Sequence, residues 1–97
     1  MEMLKVKGKF EGGILVWSRG VADRMVESDF AKFVSDSLRR HFNGDWGDLA
    51  EEDKKENEYS LTRHLRILSA YKKDGEKIWI ITEADRSATT VLFPSEY

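Results

Sequence analysis

Four consecutive apolar residues near the C-terminus, Ile78, Trp79, Ile80 and Ile81, place the strongest constraint on the fold of this chain. Side chains of a β-strand alternate between the two faces of a sheet, so a strand that is apolar at every position needs cover on both faces. We therefore expect this segment to be a central strand, with helices packed on one side of the sheet.

The strand pattern continues on both sides of this segment. β-Branched and aromatic side chains are concentrated in residues 67–71, 78–82 and 89–93. Asp74-Gly75 is typical of a tight hairpin turn between the first two stretches, and the only proline, Pro94, follows the third. Because proline lacks the N–H that a strand ladder needs, it marks the end of the last strand. The C-terminal third is predicted to be a three-stranded antiparallel meander.

Two further strands are predicted at the N-terminus. Apolar residues alternate with lysines in the order Leu4, Lys5, Val6, Lys7, Lys9 and Phe10. Gly12-Gly13 then precede the apolar stretch of residues 14–17. Alternation followed by a glycine turn indicates a β-hairpin with its lysines on one face.

Apolar residues at helical spacing predict helices at residues 21–26, 29–42 and about 49–65. Ser18 and Ser28 are the predicted N-terminal caps of the first two helices, and Asn43-Gly44 ends the second. Asp48 lies three residues before Glu51, which is the spacing of a capping box at the start of the third helix.

These elements predict a single α+β domain over residues 1–97: an N-terminal β-hairpin, two to three helices and a C-terminal three-stranded antiparallel meander. A chain of 97 residues buries about 60–65% of the surface that its unfolded form exposes. The predicted core comprises Phe30, Phe33, Val34, Leu38, Leu61, Leu65, Ile78, Ile80, Ile81, Val91 and Phe93.

The composition excludes several classes of site. The chain has no cysteine, so disulfides, iron–sulfur clusters, thiolate zinc and cysteine nucleophiles are ruled out. No apolar run approaches the roughly 18–20 residues of a membrane helix, and the N-terminus lacks the pattern of a signal peptide. We expect a cytoplasmic protein that binds no membrane and no cofactor.

Negative charge is concentrated in residues 45–58, which hold seven acidic against two basic residues within a chain of net charge −2. Such a segment either attracts a basic partner or forms the solvated face of a helix. Trp46, between Asp45 and Asp48, is a candidate exposed anchor for a protein partner. The alternative is that its indole folds back as a staple onto the first turn of the third helix.

A second candidate is the loop between the last two strands, where Glu83, Asp85 and Arg86 combine acid and base. A turn held by its own side chains explains the same residues. If this loop approaches the acidic segment, its residues join one polar patch. The candidate partner-binding residues are Asp45, Trp46, Asp48, Glu51, Glu52, Asp53, Asn57, Glu83, Asp85 and Arg86.

Several strings in residues 40–97 resemble a family of small bacterial proteins labelled plasmid-related or hypothetical. They are Gly44-Asp45-Trp46-Gly47-Asp48-Leu49, Glu52-Asp53-Lys54, Leu68-Ser69-Ala70-Tyr71, Ile78-Trp79-Ile80-Ile81-Thr82-Glu83-Ala84-Asp85-Arg86-Ser87 and Pro94-Ser95-Glu96-Tyr97. The resemblance implies a mobile-element setting, on a plasmid, an integrated element or a phage, in a bacterial cytoplasm. It implies no established activity.

The charge pattern and the absence of catalytic motifs favour a non-catalytic interaction protein that binds a basic protein surface. With the implied mobile-element setting, a concrete version is an inhibitor of a host defence nuclease, of the anti-CRISPR or antirestriction type. One alternative is a small metal-dependent hydrolase using Asp45, Asp48, Glu52 or Asp85. Another is a nucleic-acid-binding module using the N-terminal lysines, although a sequence pI near 5.7 argues against it. The two histidines, His41 and His64, are expected on helix surfaces, with no metal bound.

Overall fold

The computed structural model describes residues 8–97. Its elements follow in the order β1 (Ile14–Trp17), α1 (Arg19–Arg24), α2 (Ser28–Phe42), α3 (Glu51–Arg63), β2 (Ile67–Lys73), β3 (Glu76–Thr82), β4 (Ala88–Leu92) and a 3₁₀ turn (Pro94–Glu96). The predicted α+β class is confirmed. Among the described residues, no helix is long and apolar enough to cross a membrane.

The four strands form one mixed sheet in the order β1-β4-β3-β2. β2 pairs with β3 and β3 pairs with β4, both antiparallel, as the predicted meander requires. β3 lies between two neighbours, as its run of apolar residues predicted. The sheet differs from that prediction in its fourth strand, because β1 adds to β4 in parallel.

β1 does not form the predicted N-terminal hairpin. Most of its first strand falls in residues 1–7, which lie outside the described residues, and residues 8–10 are not in a strand. The backbone N–H of Lys9 instead donates to the carbonyl of Phe42 at the end of α2 (2.7 Å). Gly13, at φ +64°, passes so close to Ser87 that a Cβ there would meet its carbonyl oxygen at 2.2 Å. Because glycine has no Cβ, the chain can approach closely enough for β1 to pair with the edge of β4.

The core lies between α2 and one face of the sheet. Phe30, Phe33, Val34, Leu38, Ile78, Ile80, Ile81 and Val91 are buried as predicted, and Phe93 is half-buried. Leu61 and Leu65 were predicted in the core, but Leu61 is half-buried and Leu65 is 45% exposed. The reason is the position of α3, which runs along the outer edge of β2 and buries the polar residues Asn57 and Ser60.

The helix ends match the sequence expectations in part. Ser18 caps α1, since its hydroxyl accepts from the N–H of Val21 (3.2 Å). Ser28 is not a cap, because it is already the first residue of α2. The prediction of a capping box at Asp48 is also wrong, because α3 begins after Ala50. The N–H of Asp48 instead donates to the carbonyl of Ala70 on β2 (2.7 Å).

Candidate functional site

Exposed carboxylates are concentrated at the N-terminal half of α3 and in the loop before it. We call the following five residues the acidic surface: Asp48, Glu51, Glu52, Asp53 and Glu56, all of them exposed. The first turn of a helix favours acidic side chains because the helix dipole is positive there. Among the described residues, Glu51 alone of the five is in an ion pair, with Lys54 (3.4 Å). The other four carboxylates face solvent, with no ion-pair partner within residues 8–97.

A groove of about 650 Å³ separates α3 from the adjoining face of the sheet. We call it the α3 groove. Asp48, Asp53 and Glu56 of the acidic surface line its helix side, and Lys77 and Trp79 of β3 line its sheet side. This volume lies within the range of about 300–1,000 Å³ that is typical of ligand clefts. The groove and the acidic surface are therefore continuous.

Trp46 is not an exposed anchor, because its side chain is only 3% exposed. Its ring packs near those of Phe10 and His41, at centroid distances of 6.1 and 6.0 Å. The indole Nε1 donates to Glu58 on α3 (3.1 Å). The indole is buried, as the staple alternative requires, but its contact with α3 is at Glu58 and not in the first turn of the helix. Trp46 is therefore not one of the residues that can contact a partner.

Asp45 and Asn57 also serve the fold. The carboxylate of Asp45 accepts two hydrogen bonds from the guanidinium of Arg40, at 2.7 and 3.2 Å, and these bonds hold the pKa of Asp45 below its usual range. Asn57 is 5% exposed, and its amide both donates to the carbonyl and accepts from the N–H of Leu68. Asn57 thus completes the outer edge of β2, where the backbone has no strand partner.

The position of the β3–β4 loop determines which candidate residues it approaches. Arg86 donates to the carbonyls of Leu65 (2.7 Å), Ser60 (3.0 Å), Glu83 (3.1 Å) and Ala84 (3.3 Å), which places the β3–β4 loop at the C-terminal end of α3. Ser60 is one helical turn from Asn57, whereas Glu51 and Glu52 in the first turn of α3 lie about 12–14 Å from Ser60 along the helix axis. The loop therefore lies beside the part of α3 that carries Asn57 and not beside its first turn.

Within that loop, Glu83 and Asp85 are exposed. The carboxylate of Asp85 accepts from the hydroxyl and the N–H of Ser87, the latter at 2.9 Å, and this lowers its pKa. The interpretation of a turn held by its own side chains therefore describes the loop, and Arg86 acts as its anchor to α3.

His41 was expected on a helix surface, but it is fully buried. Its Nδ1 lies 2.5 Å from the hydroxyl of Ser69, and its Nε2 lies 2.9 Å from that of Thr82. Thr82 bonds in turn to Thr89 (2.8 Å), whose hydroxyl donates to the carbonyl of Gly12 (2.8 Å). His64 is exposed and ends α3 in a left-handed conformation.

The direction of these hydrogen bonds assigns the protons of His41. The hydroxyl of Thr89 donates its one proton to the carbonyl of Gly12. Thr82 must therefore donate to Thr89 and accept from the Nε2–H of His41. Ser69 then donates to Nδ1. The ring is neutral, and burial lowers its pKa from 6.5 to about 3. Both ring nitrogens of the neutral imidazole are therefore paired within the core, and this network stabilises the fold.

The carboxylates considered for a metal-dependent hydrolase come from three segments: the loop before α3, α3 itself and the β3–β4 loop. Asp45, Asp48, Glu52 and Asp85 are all exposed, and the pKa values of Asp45 and Asp85 are lowered. Within residues 8–97, no group of three or more histidine, aspartate or glutamate side chains is arranged to hold a metal.

The structure leaves the lysine face of the nucleic-acid alternative mostly undescribed, since Lys5 and Lys7 lie outside residues 8–97. Lys9 is exposed. The site that the described residues do build is the acidic surface with the adjoining α3 groove. Comparison with known proteins finds no matching family model, no matching curated protein and no matching solved structure.

Proposed function

We propose that this chain is a small non-catalytic interaction protein whose acidic surface binds a basic surface on a partner protein. One observation carries the proposal: five exposed carboxylates lie at one end of α3, and within the described part of the chain Glu51 alone among them has an ion-pair partner. The helix dipole favours the acids of the first turn, but like charges this close together also repel one another. A basic partner relieves that repulsion.

Electrostatic attraction of this kind acts mainly on recognition. Complementary charge accelerates encounter and excludes partners of the wrong sign, while rim ion pairs add modest affinity. The acidic surface is suited to this role because its side chains are already exposed, and the only hydrogen bond among the described residues that binding would have to break is the one from Lys54 to Glu51. Asp45 is not part of the acidic surface, because its carboxylate is already hydrogen-bonded to Arg40.

The resemblance described above makes a defence nuclease of the bacterial host the partner class that we propose. Nucleases carry basic surfaces that hold phosphates, and phosphates and carboxylates attract the same arginine and lysine side chains. A carboxylate cluster on a small protein can therefore occupy such a surface and exclude nucleic acid from it. The mobile-element setting would give this inhibition its purpose.

The test is capture of partner proteins from a bacterial lysate by the tagged full chain, read by mass spectrometry with and without nuclease treatment. The variant Glu51→Lys/Glu52→Lys reverses two charges of the acidic surface that do not line the groove. Glu11→Lys/Asp23→Lys makes the same charge change at exposed residues elsewhere and is the matched control.

We expect a partner that is retained by the native chain and by the control, resists nuclease treatment and is lost from the Glu51→Lys/Glu52→Lys variant. Thermal unfolding of both variants checks that they remain folded. Equal retention by the two variants, or retention that disappears with nuclease, would contradict the proposal.

A further inference from the structure

The two edges of the sheet differ in how they are covered. At the β2 edge, the amide of Asn57 and the bridge from Gly47 bond to the strand. β1 lies at the opposite edge, and within residues 8–97 no further strand pairs with it. Native proteins protect such edges with charged side chains or proline, but β1 reads Ile-Leu-Val-Trp and has neither. In the part of the chain that the structure describes, the β1 edge is therefore open to another strand.

Half of the backbone groups of β1 point away from the sheet. The N–H groups of Ile14 and Ser18 donate to carbonyls on the β4 side, at 3.0 and 2.9 Å. Because backbone groups alternate in direction along a strand, those of Leu15 and Trp17 point to the other side. Among the described residues, no turn or loop backbone bonds to either of them. Leu15 and Trp17 thus each present an N–H and a carbonyl to an additional strand.

The side chains of β1 on the face of the sheet away from α2 are apolar and exposed. Ile14 is 56% exposed and Val16 is 40% exposed, whereas Leu15 and Trp17 pack against the core. Apolar side chains on neighbouring strands stabilise a sheet through cross-strand contact. A strand that adds to β1 gains this contact together with the backbone hydrogen bonds, so an apolar strand such as β1 itself is favoured.

Charges of opposite sign flank β1. Arg19 follows its C-terminal end, and Glu83 and Asp85 belong to the β3–β4 loop, which adjoins its N-terminal end through a backbone hydrogen bond of 3.0 Å. All three side chains are exposed, and none is in an ion pair with a described residue. The guanidinium of Arg86, in the same loop, is turned to α3. When two copies of β1 run antiparallel, the basic end of each lies beside the acidic end of the other.

From these observations we propose that two copies of this chain associate through β1, antiparallel and about a two-fold axis, to form one continuous sheet. With the axis at Val16, Leu15 of each copy pairs with Trp17 of the other, which bonds the outward N–H and carbonyl groups of both residues. The two Val16 side chains then lie directly opposite each other. This inference goes beyond the proposed function and does not depend on it.

The size of the interface determines how tightly the dimer forms. β1 has four residues, so pairing through it buries less surface than an obligate dimer, for which about 2,000–5,000 Å² is typical. We therefore expect a dimer that dissociates reversibly on dilution. Because α3 lies along the opposite edge of the sheet, each copy keeps its acidic surface accessible, and the dimer presents two of them.

The test is sedimentation equilibrium of the full chain at concentrations from about 1 µM to about 1 mM, the range in which weak dimers form. We expect the average mass to rise from the 11.2 kDa of one chain towards twice that value. A mass that stays at 11.2 kDa up to the highest concentration would overturn the proposal.

A matched pair of variants locates the interface. Val16→Lys puts two lysines directly opposite each other across the two-fold axis, where like charges destabilise pairing, and is expected to abolish the dimer. Val26→Lys makes the same change at a valine that is 88% exposed between α1 and α2, and its dimer should be unchanged. Thermal unfolding checks that both variants are folded. Equal dimerisation by the two variants would place the interface elsewhere and refute the proposal.

A second variant acts on an exposed charge and leaves β1 itself intact. Arg19→Glu brings like charges together at both ends of the paired strands and is expected to weaken the dimer at least about threefold. Lys55→Glu makes the same charge change on α3, at the opposite edge of the sheet, and should have no effect. Equal dissociation constants for these two variants would contradict the antiparallel arrangement.

Hydrogen exchange of the native chain tests the pairing directly. The N–H groups of Leu15 and Trp17 should exchange more slowly above the dissociation constant of the dimer than below it. Those of Ile14 and Val16 point to β4 and should exchange at the same rate at both concentrations. Protection of Leu15 and Trp17 that does not depend on concentration would show that another segment of the same chain covers this edge, and the proposal would fall.

The dimer and the acidic surface can fail separately. If Val16→Lys is a folded monomer that still captures the partner, both proposals stand, because one acidic surface suffices for binding. If the native chain is a monomer at every concentration while Glu51→Lys/Glu52→Lys loses the partner, the dimer proposal falls and the acidic surface stands.

Discussion

Individual polar residues in this molecule divide into those that hold the fold and those that face solvent. Arg86 has φ +62°, and its guanidinium donates to carbonyls at the end of α3 and in its own loop. Asn57 closes a strand edge with both of its amide groups. Such residues look functional in a sequence because they are polar and sit in loops or between charges. Burial and partners, which only the fold supplies, decide their role.

The buried imidazole of His41 predicts a specific dependence of stability on pH. Its pKa is about 3 in the folded chain against an ordinary value of 6.5, so folding favours the neutral ring. This contribution to the free energy of unfolding is complete above pH 6.5 and is lost as the pH falls from 6.5 towards 3, by about 1.4 kcal/mol per pH unit.

The measurement is NMR of the imidazole nitrogens of His41 between pH 7 and pH 4.5, with urea unfolding at the same pH values. We expect the ring to stay neutral and protonated at Nε2 throughout. As the pH is lowered, the free energy of unfolding should decrease more steeply in the native chain than in His41→Gln. An imidazole of His41 that titrates near pH 6.5 would contradict this assignment.

At the scale of elements, the loop before α3 protects the outer edge of β2. Gly47 forms an isolated bridge with Ala70, and the hydroxyl of Tyr71 donates to the carbonyl of Asp45 (2.6 Å). An open strand edge invites pairing with other chains. The same contacts hold α3 along the edge of β2, which positions the groove and exposes the acidic surface.

Gly47→Ala is therefore expected to destabilise the molecule more than Gly75→Ala. Both glycines have positive φ, +75° and +80°, so both variants lose about 1–2 kcal/mol to backbone strain. At Gly47 the added Cβ would also meet the carbonyl oxygen of Ala70 at 1.9 Å, whereas at Gly75 it meets nothing within 4 Å. Urea unfolding measures the difference, and equal losses would show that the bridge to β2 does not contribute.

For the whole molecule, the sequence predicted the meander and the helices because their signals are local. Alternation, turn residues and helical spacing all lie within a few positions of one another. The parallel pairing of β1 with β4 joins Ile14 to Ala88 across most of the chain, and no local pattern encodes it. The wrong placement of Leu65 has the same origin, since the sequence does not say that α3 lies at a sheet edge.

The candidate site was predictable in part. Exposed acidic residues on α3 follow from charge pattern and helix assignment, but the partners of Trp46 and Asp45 depend on the approach of α2, α3 and β2. His41 did carry a signal: it falls on the same helical stripe as Val34 and Leu38, which are buried. The α3 groove had no signal, because its walls lie far apart in the sequence.

The most direct test of the acidic surface measures the affinity of the chain for its captured partner at two salt concentrations. Raising the ionic strength from about 0.1 M to about 1 M shortens the screening length from about 10 Å to about 3 Å. We predict that affinity falls steeply over this range for the native chain and much less for Glu51→Lys/Glu52→Lys. An affinity that is the same at both salt concentrations would contradict the central claim that carboxylates on α3 bind a basic surface.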